Sequence, residues 1–241
     1  MRAKLVGVPG SHPCISAELM LRYKGIEFSR FDLPNITHKA ILPLLRYRGS
    51  TVPVMTIDGK RVSGTMKIAR ALDHFVPRPQ LFPEADRATI EGAEAWADSA
   101  LQDGVRQMAR WATGKDKESM STFLVGPVMG IPESVMRRAL PVLGPGVALQ
   151  MRTADDTANA CLAALPGQLD RVDALLAEGV IGGERPNAAD FQIAPSVSLA
   201  LCFDQLRTFI EDRPAGRHAR KLVPDFPGRF KEVFPSSWIP F

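Results

Sequence analysis

The 241-residue sequence predicts two units in series, an α/β domain over residues 1–76 and an all-α domain over residues 87–241. Three observations carry this. Short apolar runs alternate with helical stretches only in the first third of the chain. Asp58-Gly59 falls between two such runs and is a strong hairpin turn signal. Past the proline-rich stretch 77–86 the strand signals stop, and apolar residues recur at helical spacing.

In order, Lys4 to Val8 reads as a short buried strand. Pro13 to Lys24 reads as a helix, with proline in its first turn and Gly25 at its stop. Glu27 to Phe31 is a second strand, and Ile36 to Tyr47 a second helix interrupted by Pro43. Val52 to Ile57 and Lys60 to Val62 form the hairpin, and Thr65 to Phe75 the closing helix. The predicted order is β-α-β-α-β-β-α. Residues 77–86 read as an ordered, extended linker. One long helix is expected from about Glu84 to Ala112, with Trp96, Met108 and Trp111 along it. Core packing is the favoured reading of those three, and contact with a substrate the second one. Residues 116–150, rich in Gly, Pro and Met, suggest one or two short helices acting as a lid, a dimer surface or a second layer. Ala154 to Glu178 is an amphipathic helix that Pro166 should kink or divide, and residues 187–210 form another. Short helices and a proline-rich tail close the chain.

Composition narrows the function classes. Hydrophobic residues are 45% and charged residues 23%, which excludes disorder as a reading of the whole chain. Cys14, Cys161 and Cys202 are odd in number and widely spaced, so neither a disulfide framework nor a zinc site reads from them, and no metal is expected. Reduced thiols fit a cytoplasmic protein. The start, MRAKLVGVPGSH, is too short and polar for a signal peptide, and no apolar run is long enough for a membrane span. The net charge of +4 is dispersed, and its densest cluster, Arg213, Arg217, Arg220 and Lys221, lacks stacking aromatics, so nucleic acid is not an expected partner.

Four motifs carry chemistry. Ser11-His12-Pro13-Cys14 opens the first helix, where free N–H groups and the helix dipole favour an anion. A hydroxyl donor there adds a charge-assisted bond, and together these lower a thiol pKa by roughly one to two units. The plain readings are a helix cap for Ser11 and a buried helix residue for Cys14; His12 is expected to be exposed at the helix start. Thr51-Val52-Pro53-Val54 puts a proline at the start of a strand. Gly64-Thr65-Met66-Lys67-Ile68 opens the third helix, where Thr65 is by itself a helix cap. Asn187-Ala188-Ala189-Asp190 has the spacing of a capping box.

Taken together these motifs resemble serine-type glutathione transferases, which pair a thioredoxin-like N-terminal domain with a helical C-terminal one. The resemblance runs from Lys4 to about Leu206 and is loosest at 116–150. It implies that Ser11 donates to the thiolate of glutathione, that Pro53 is cis, and that the Val52 backbone pairs with the cysteinyl unit. It further implies that Thr65 and its helix start hold the γ-glutamyl carboxylate, with His12, Cys14 and Gly64 around the same cofactor. Gly64 stands where the family has an acidic residue, so the thiol is glutathione or another low-molecular-weight thiol. The acceptor would be an apolar electrophile near Trp96, Met108 and Trp111, and the assembly a homodimer serving detoxification. Two further readings stand beside this one. The first is a non-catalytic binder of an apolar ligand or haem, since the insert resembles that of membrane-associated prostaglandin E synthase type two and its bacterial relatives. The second is a thiol oxidoreductase using Cys14.

Overall fold

The computed structural model describes residues 2–35, 37–116, 118–151 and 153–241. Ile36, the expected start of the second helix, lies outside the described residues. The first part runs β1 (Arg2–Gly7), α1 (His12–Tyr23), β2 (Glu27–Asp32), α2 (His38–Leu44), β3 (Val54–Ile57), β4 (Lys60–Ser63) and α3 (Thr65–Phe75). The sheet order is β2-β1-β3-β4, with β1 parallel to β2 and antiparallel to β3. This is the β-α-β-α-β-β-α order read from the sequence, and Asp58-Gly59 makes the hairpin.

Alternation along the central strands feeds two cores. Ala3 and Leu5 of β1, with Met55 and Ile57 of β3, face the large core shared with α1, α3 and the later helices. Val6 and Val54 face the opposite side, where Leu42 and Tyr47 close a smaller core with Val8 and Leu33.

The linker is ordered because it is anchored. Leu81 and Phe82 are buried in the large core. Lys24, at the end of α1, is also buried, and its ammonium group donates to Asp73 of α3, to the Val76 carbonyl at 2.8 Å and to the Pro79 carbonyl. The same Asp73 carboxylate also accepts the Leu81 and Phe82 amides at 2.8 and 3.1 Å.

The long helix departs from a plain α-helix. A 3-10 turn (Glu84–Asp86) leads into α4 (Arg87–Trp96), a π-helical segment (Ala97–Gln102) and α5 (Asp103–Lys115). The insert holds a short α6 (Ser119–Thr122) and an α7 (Glu133–Gln150) longer than expected, in which Val135, Val142 and Leu149 stand exposed seven residues apart. Pro166 does not divide α8 (Asp155–Ala177). The helix expected over 187–210 breaks at Cys202-Phe203 into α9 (Ala188–Leu201) and α10 (Asp204–Glu211), and α11 (Pro214–Leu222) follows. Every residue of α9 is buried. Its start is the expected capping box: the Asn187 side chain accepts from the Ala189 and Asp190 amides at 2.9 and 3.3 Å, and Asp190 accepts the Asn187 amide at 2.8 Å.

One buried carboxylate gives the fold a pH dependence. Glu94 on α4 is buried and accepts from Arg70 at 2.7 Å, yet desolvation pushes its carboxyl up from 4.5 to about 7. A raised carboxyl pKa contributes stability that is complete below the unfolded value and is lost as the pH rises through the folded one. Burial of His12 acts in the opposite sense, because its lowered pKa costs stability as the pH falls through 6.5. A variant comparison isolates the first effect. Between about pH 4.5 and pH 7.5, urea unfolding should show the native protein losing on the order of 3 kcal/mol relative to Glu94→Gln. Parallel stability curves for the two proteins would contradict this assignment.

Candidate functional site

β1 ends at Gly7, and the turn Val8-Pro9-Gly10-Ser11 delivers the chain to α1. Ser11 occupies the N-cap position with extended backbone angles, but its hydroxyl bonds to no helix amide. Its side chain is half-buried, within reach of the Cys14 thiol. No acidic residue lies in the first turn of α1, so no side chain of that turn offsets the positive end of the dipole.

The Val52–Pro53 peptide bond is cis. Val54 pairs with Val6, so Pro53, one residue before it, lies beside the end of β1. The expected strand over 52–57 is therefore shorter, and Val52 and Pro53 belong to the loop that enters it. Val52 is half-buried and Pro53 buried. The Pro53 carbonyl accepts the Gly64 amide at 2.9 Å, which ties this loop to the start of α3. Gly64 caps α3 at φ 90° and ψ 144°, angles that favour glycine, and a Cβ there would meet nothing within 4 Å. The backbone here suits the glycine that stands in place of the expected acidic residue. Thr65 is buried at the helix start and makes no cap bond. The fold therefore gathers Ser11, Val52, Pro53, Gly64 and Thr65 at one end of the sheet, where two helices begin. Such an end offers free backbone donors and positive potential to an anionic ligand.

His12 and Cys14 behave differently from the other five. His12 is not exposed at the helix start, as expected, but 4% accessible. Burial and the nearby Arg106 push its imidazole down from 6.5 to about 3, against the opposing effect of the nearby Gln102 backbone. Cys14 is fully buried, and its Sγ abuts Gly7 so closely that a Cβ there would lie 2.9 Å away. Burial pushes the Cys14 thiol up to about 11, although the Ser11 hydroxyl, the Val8 backbone and Arg30 oppose this. A thiol held protonated at working pH is a poor nucleophile. Cys202 is pushed up to about 12, also by burial, and all three cysteines are free.

The residues expected near an acceptor divide. Met108 is fully buried, and Trp111 is stacked on Phe234 with centroids 5.4 Å apart while its Nε1 donates to Asp155 at 2.7 Å. Both pack in the core, the reading favoured for them over substrate contact. Trp111 also borders a surface concavity of about 410 Å³ with Gly114, Lys115 and Thr153, which includes none of the turn residues above. Trp96 is half-buried against the core.

Sequence reasoning missed what borders the Ser11 turn. Phe123 packs on Gly10, where a Cβ would come within 2.9 Å of the Phe123 Cβ. Just beyond, Val128 bridges to Asp32 at the end of β2, and the Met129 amide donates to the Asp32 carbonyl at 2.8 Å. The insert thus reaches the same end of the sheet, and Val125, Met129 and Ile131 are left exposed on it. Its apolar composition was visible in the sequence, but its contact partner was not.

No family model matches the chain, and no curated protein matches it by sequence. Solved structures do match. A GST-like protein from Pseudomonas syringae shares 20% identity at TM-score 0.60, over 95% of this chain and 69% of that one. A glutathione S-transferase of Ceriporiopsis subvermispora, solved in complex with glutathione, shares 18% identity at TM-score 0.61, over 97% and 99%. A maleylacetoacetate isomerase from Anaeromyxobacter dehalogenans 2CP-1, with glutathione bound in its active site, shares 18% identity at TM-score 0.54, over 92% and 89%. The chain has the fold of these proteins, a thioredoxin-like unit followed by a helical one.

Proposed function

We propose that this chain, built on the glutathione-transferase fold, is an enzyme of the glutathione S-transferase family that activates glutathione, or a similar low-molecular-weight thiol, for attack on an apolar electrophile. One observation carries the reading. A serine hydroxyl that caps no helix amide stands at the start of α1, beside the cis-Pro53 loop and the start of α3. In this reading Ser11 donates to the thiolate, and the dipole of α1 adds to its stabilisation. The Val52 backbone pairs with the cysteinyl unit as an added strand would. The first turn of α3, with Thr65, receives the γ-glutamyl carboxylate. The thiol proton passes to solvent, the sulfur–carbon bond forms, and the leaving group departs from the electrophile. Residues 1–76 then form the thiol-binding domain and residues 87–241 the acceptor-side domain. A cytoplasmic homodimer serving detoxification belongs to the same family reading. Glutathione bound to two proteins of this fold supports the choice of thiol.

The exposed Val125, Met129 and Ile131 near the Ser11 turn favour a second reading, a binder of apolar ligands without turnover. The burial and raised pKa of Cys14 oppose the oxidoreductase reading. Conjugation of glutathione to 1-chloro-2,4-dinitrobenzene separates the three. Ser11→Ala should remove most of the activity, while Cys14→Ser leaves it near the native rate. An unaffected Ser11→Ala, or a silent Cys14→Ser with a native-like melting curve, would contradict the proposal.

A further inference from the structure

The turn that carries Ser11 is fastened by a side chain that thiol activation does not use. Val8-Pro9-Gly10-Ser11 closes with the Ser11 amide donating to the Val8 carbonyl at 3.4 Å, and Gly10 in its third place has φ 67°. The same carbonyl accepts a second bond, from Nη2 of Arg30 at 3.3 Å. Arg30 lies on β2, an edge strand of the sheet, in register with Leu5 of β1.

Strand alternation puts Arg30 and Asp32 on one face of β2. Arg30 Nε donates to the two oxygens of Asp32 at 3.1 and 3.0 Å, and its Nη1 donates to Glu18 of α1 at 2.5 Å. Glu18 is held in turn by Arg22 at 2.7 Å. The buried Asp32 carboxylate lies against Gly7, where a Cβ would come within 3.0 Å of it. One planar group thus ties α1, the end of β2 and the Ser11 turn together, each of its three nitrogens serving a different partner. Lysine, with a single nitrogen, does not reproduce that fork. A charge on an edge strand also discourages strand pairing, but any cation would do that. Nor does Arg30 bring excess charge to the thiolate, because Arg22 and Arg30 are balanced by Glu18 and Asp32.

We propose that Arg30 is a positioning residue, which holds the Val8–Ser11 turn so that the Ser11 hydroxyl is presented to the thiolate. The shape of the guanidinium, rather than its charge, does this work. The inference rests on the thiol-activating reading of Ser11.

The test follows the ultraviolet absorbance of the thiolate of bound glutathione against pH, at saturating glutathione, in the intact chain and its variants. Arg30→Lys keeps a cation beside Glu18 and Asp32 but loses the fork, and its bound thiol should titrate about one unit higher than in the native protein. Arg30→Met loses fork and charge together and should shift the thiol at least as far. A native thiol pKa in Arg30→Lys would overturn the inference whatever Arg30→Met does, because a charge alone would then suffice. The lysine variant therefore decides even if Arg30→Met fails to fold. Since Arg30 acts through Ser11, adding Arg30→Lys to Ser11→Ala should move the thiol no further, and a full additional shift would also overturn the inference. Ser11→Ala alone separates the two levels. If it leaves the thiol pKa unmoved, or if native protein does not lower that pKa, the Ser11 reading itself fails and takes this inference with it. If Ser11→Ala raises the pKa and Arg30→Lys does not, the positioning role alone fails.

Discussion

Asp73→Ala should cost 3–5 kcal/mol of stability, about the amount by which breaking a buried ion pair from one side destabilises a protein. The Lys24 side chain is fully enclosed, and Asp73 is its only carboxylate partner among the described residues. Without Asp73 the ammonium group keeps two carbonyls but no counter-charge, and the Leu81 and Phe82 amides lose their acceptor. Each of these groups is dehydrated in the native state, so the losses are not recovered from water. Against a typical total of about 5–15 kcal/mol, the variant sits near the threshold of folding. Two companions show where the cost arises. Asp73→Asn keeps an acceptor oxygen and should lose less. The pair Lys24→Met with Asp73→Leu removes both charges and should recover a large part of the loss, because apolar replacements of buried ion pairs are often close to neutral. Urea unfolding measures all three, and a loss below about 1 kcal/mol in Asp73→Ala would show that this clamp is not what anchors the linker.

Ser11→Ala should lower kcat/KM for glutathione conjugation by about 10–100-fold, with little change in melting temperature. The magnitude follows from the bond removed. A hydrogen bond to a charged sulfur contributes roughly 1.5–3 kcal/mol, which corresponds to about one to two units of thiol pKa. The α1 dipole survives the substitution, so some thiolate stabilisation should remain. Folding should be indifferent because the native hydroxyl bonds to no helix amide. A loss of activity accompanied by a large drop in stability would instead mark Ser11 as structural.

Much of the fold was legible because its signals are local. The short apolar run between Lys4 and Val8, the Asp58-Gly59 turn and the Asn187–Asp190 box each state their structure within a few residues. The places where reading failed depend on distant partners. His12 is buried where Arg106 and the Gln102 backbone approach it from some ninety residues away in sequence, and no local pattern announces that approach. Trp111 fits a helical stripe as a core or as a contact residue, and the partners that hold it in the core, Phe234, Trp238 and Asp155, all lie far along the chain. The candidate site lies between these cases. Its three turns were readable as motifs, but their convergence follows from the pairing of β1 with β3 and the Gly64–Pro53 bond. The approach of Phe123 to Gly10 is a tertiary contact without a sequence signature.

The proposed function requires a thiol ligand at the end of the sheet where α1 and α3 begin. Its most direct test is the melting temperature with and without millimolar glutathione. A ligand bound only by the native state, at about 100 times its dissociation constant, stabilises by roughly 2.7 kcal/mol. A clear upward shift is expected with glutathione or with another low-molecular-weight thiol, larger than the shift from an equal concentration of a simple dicarboxylate. An unchanged melting temperature across the whole series of thiols would contradict it.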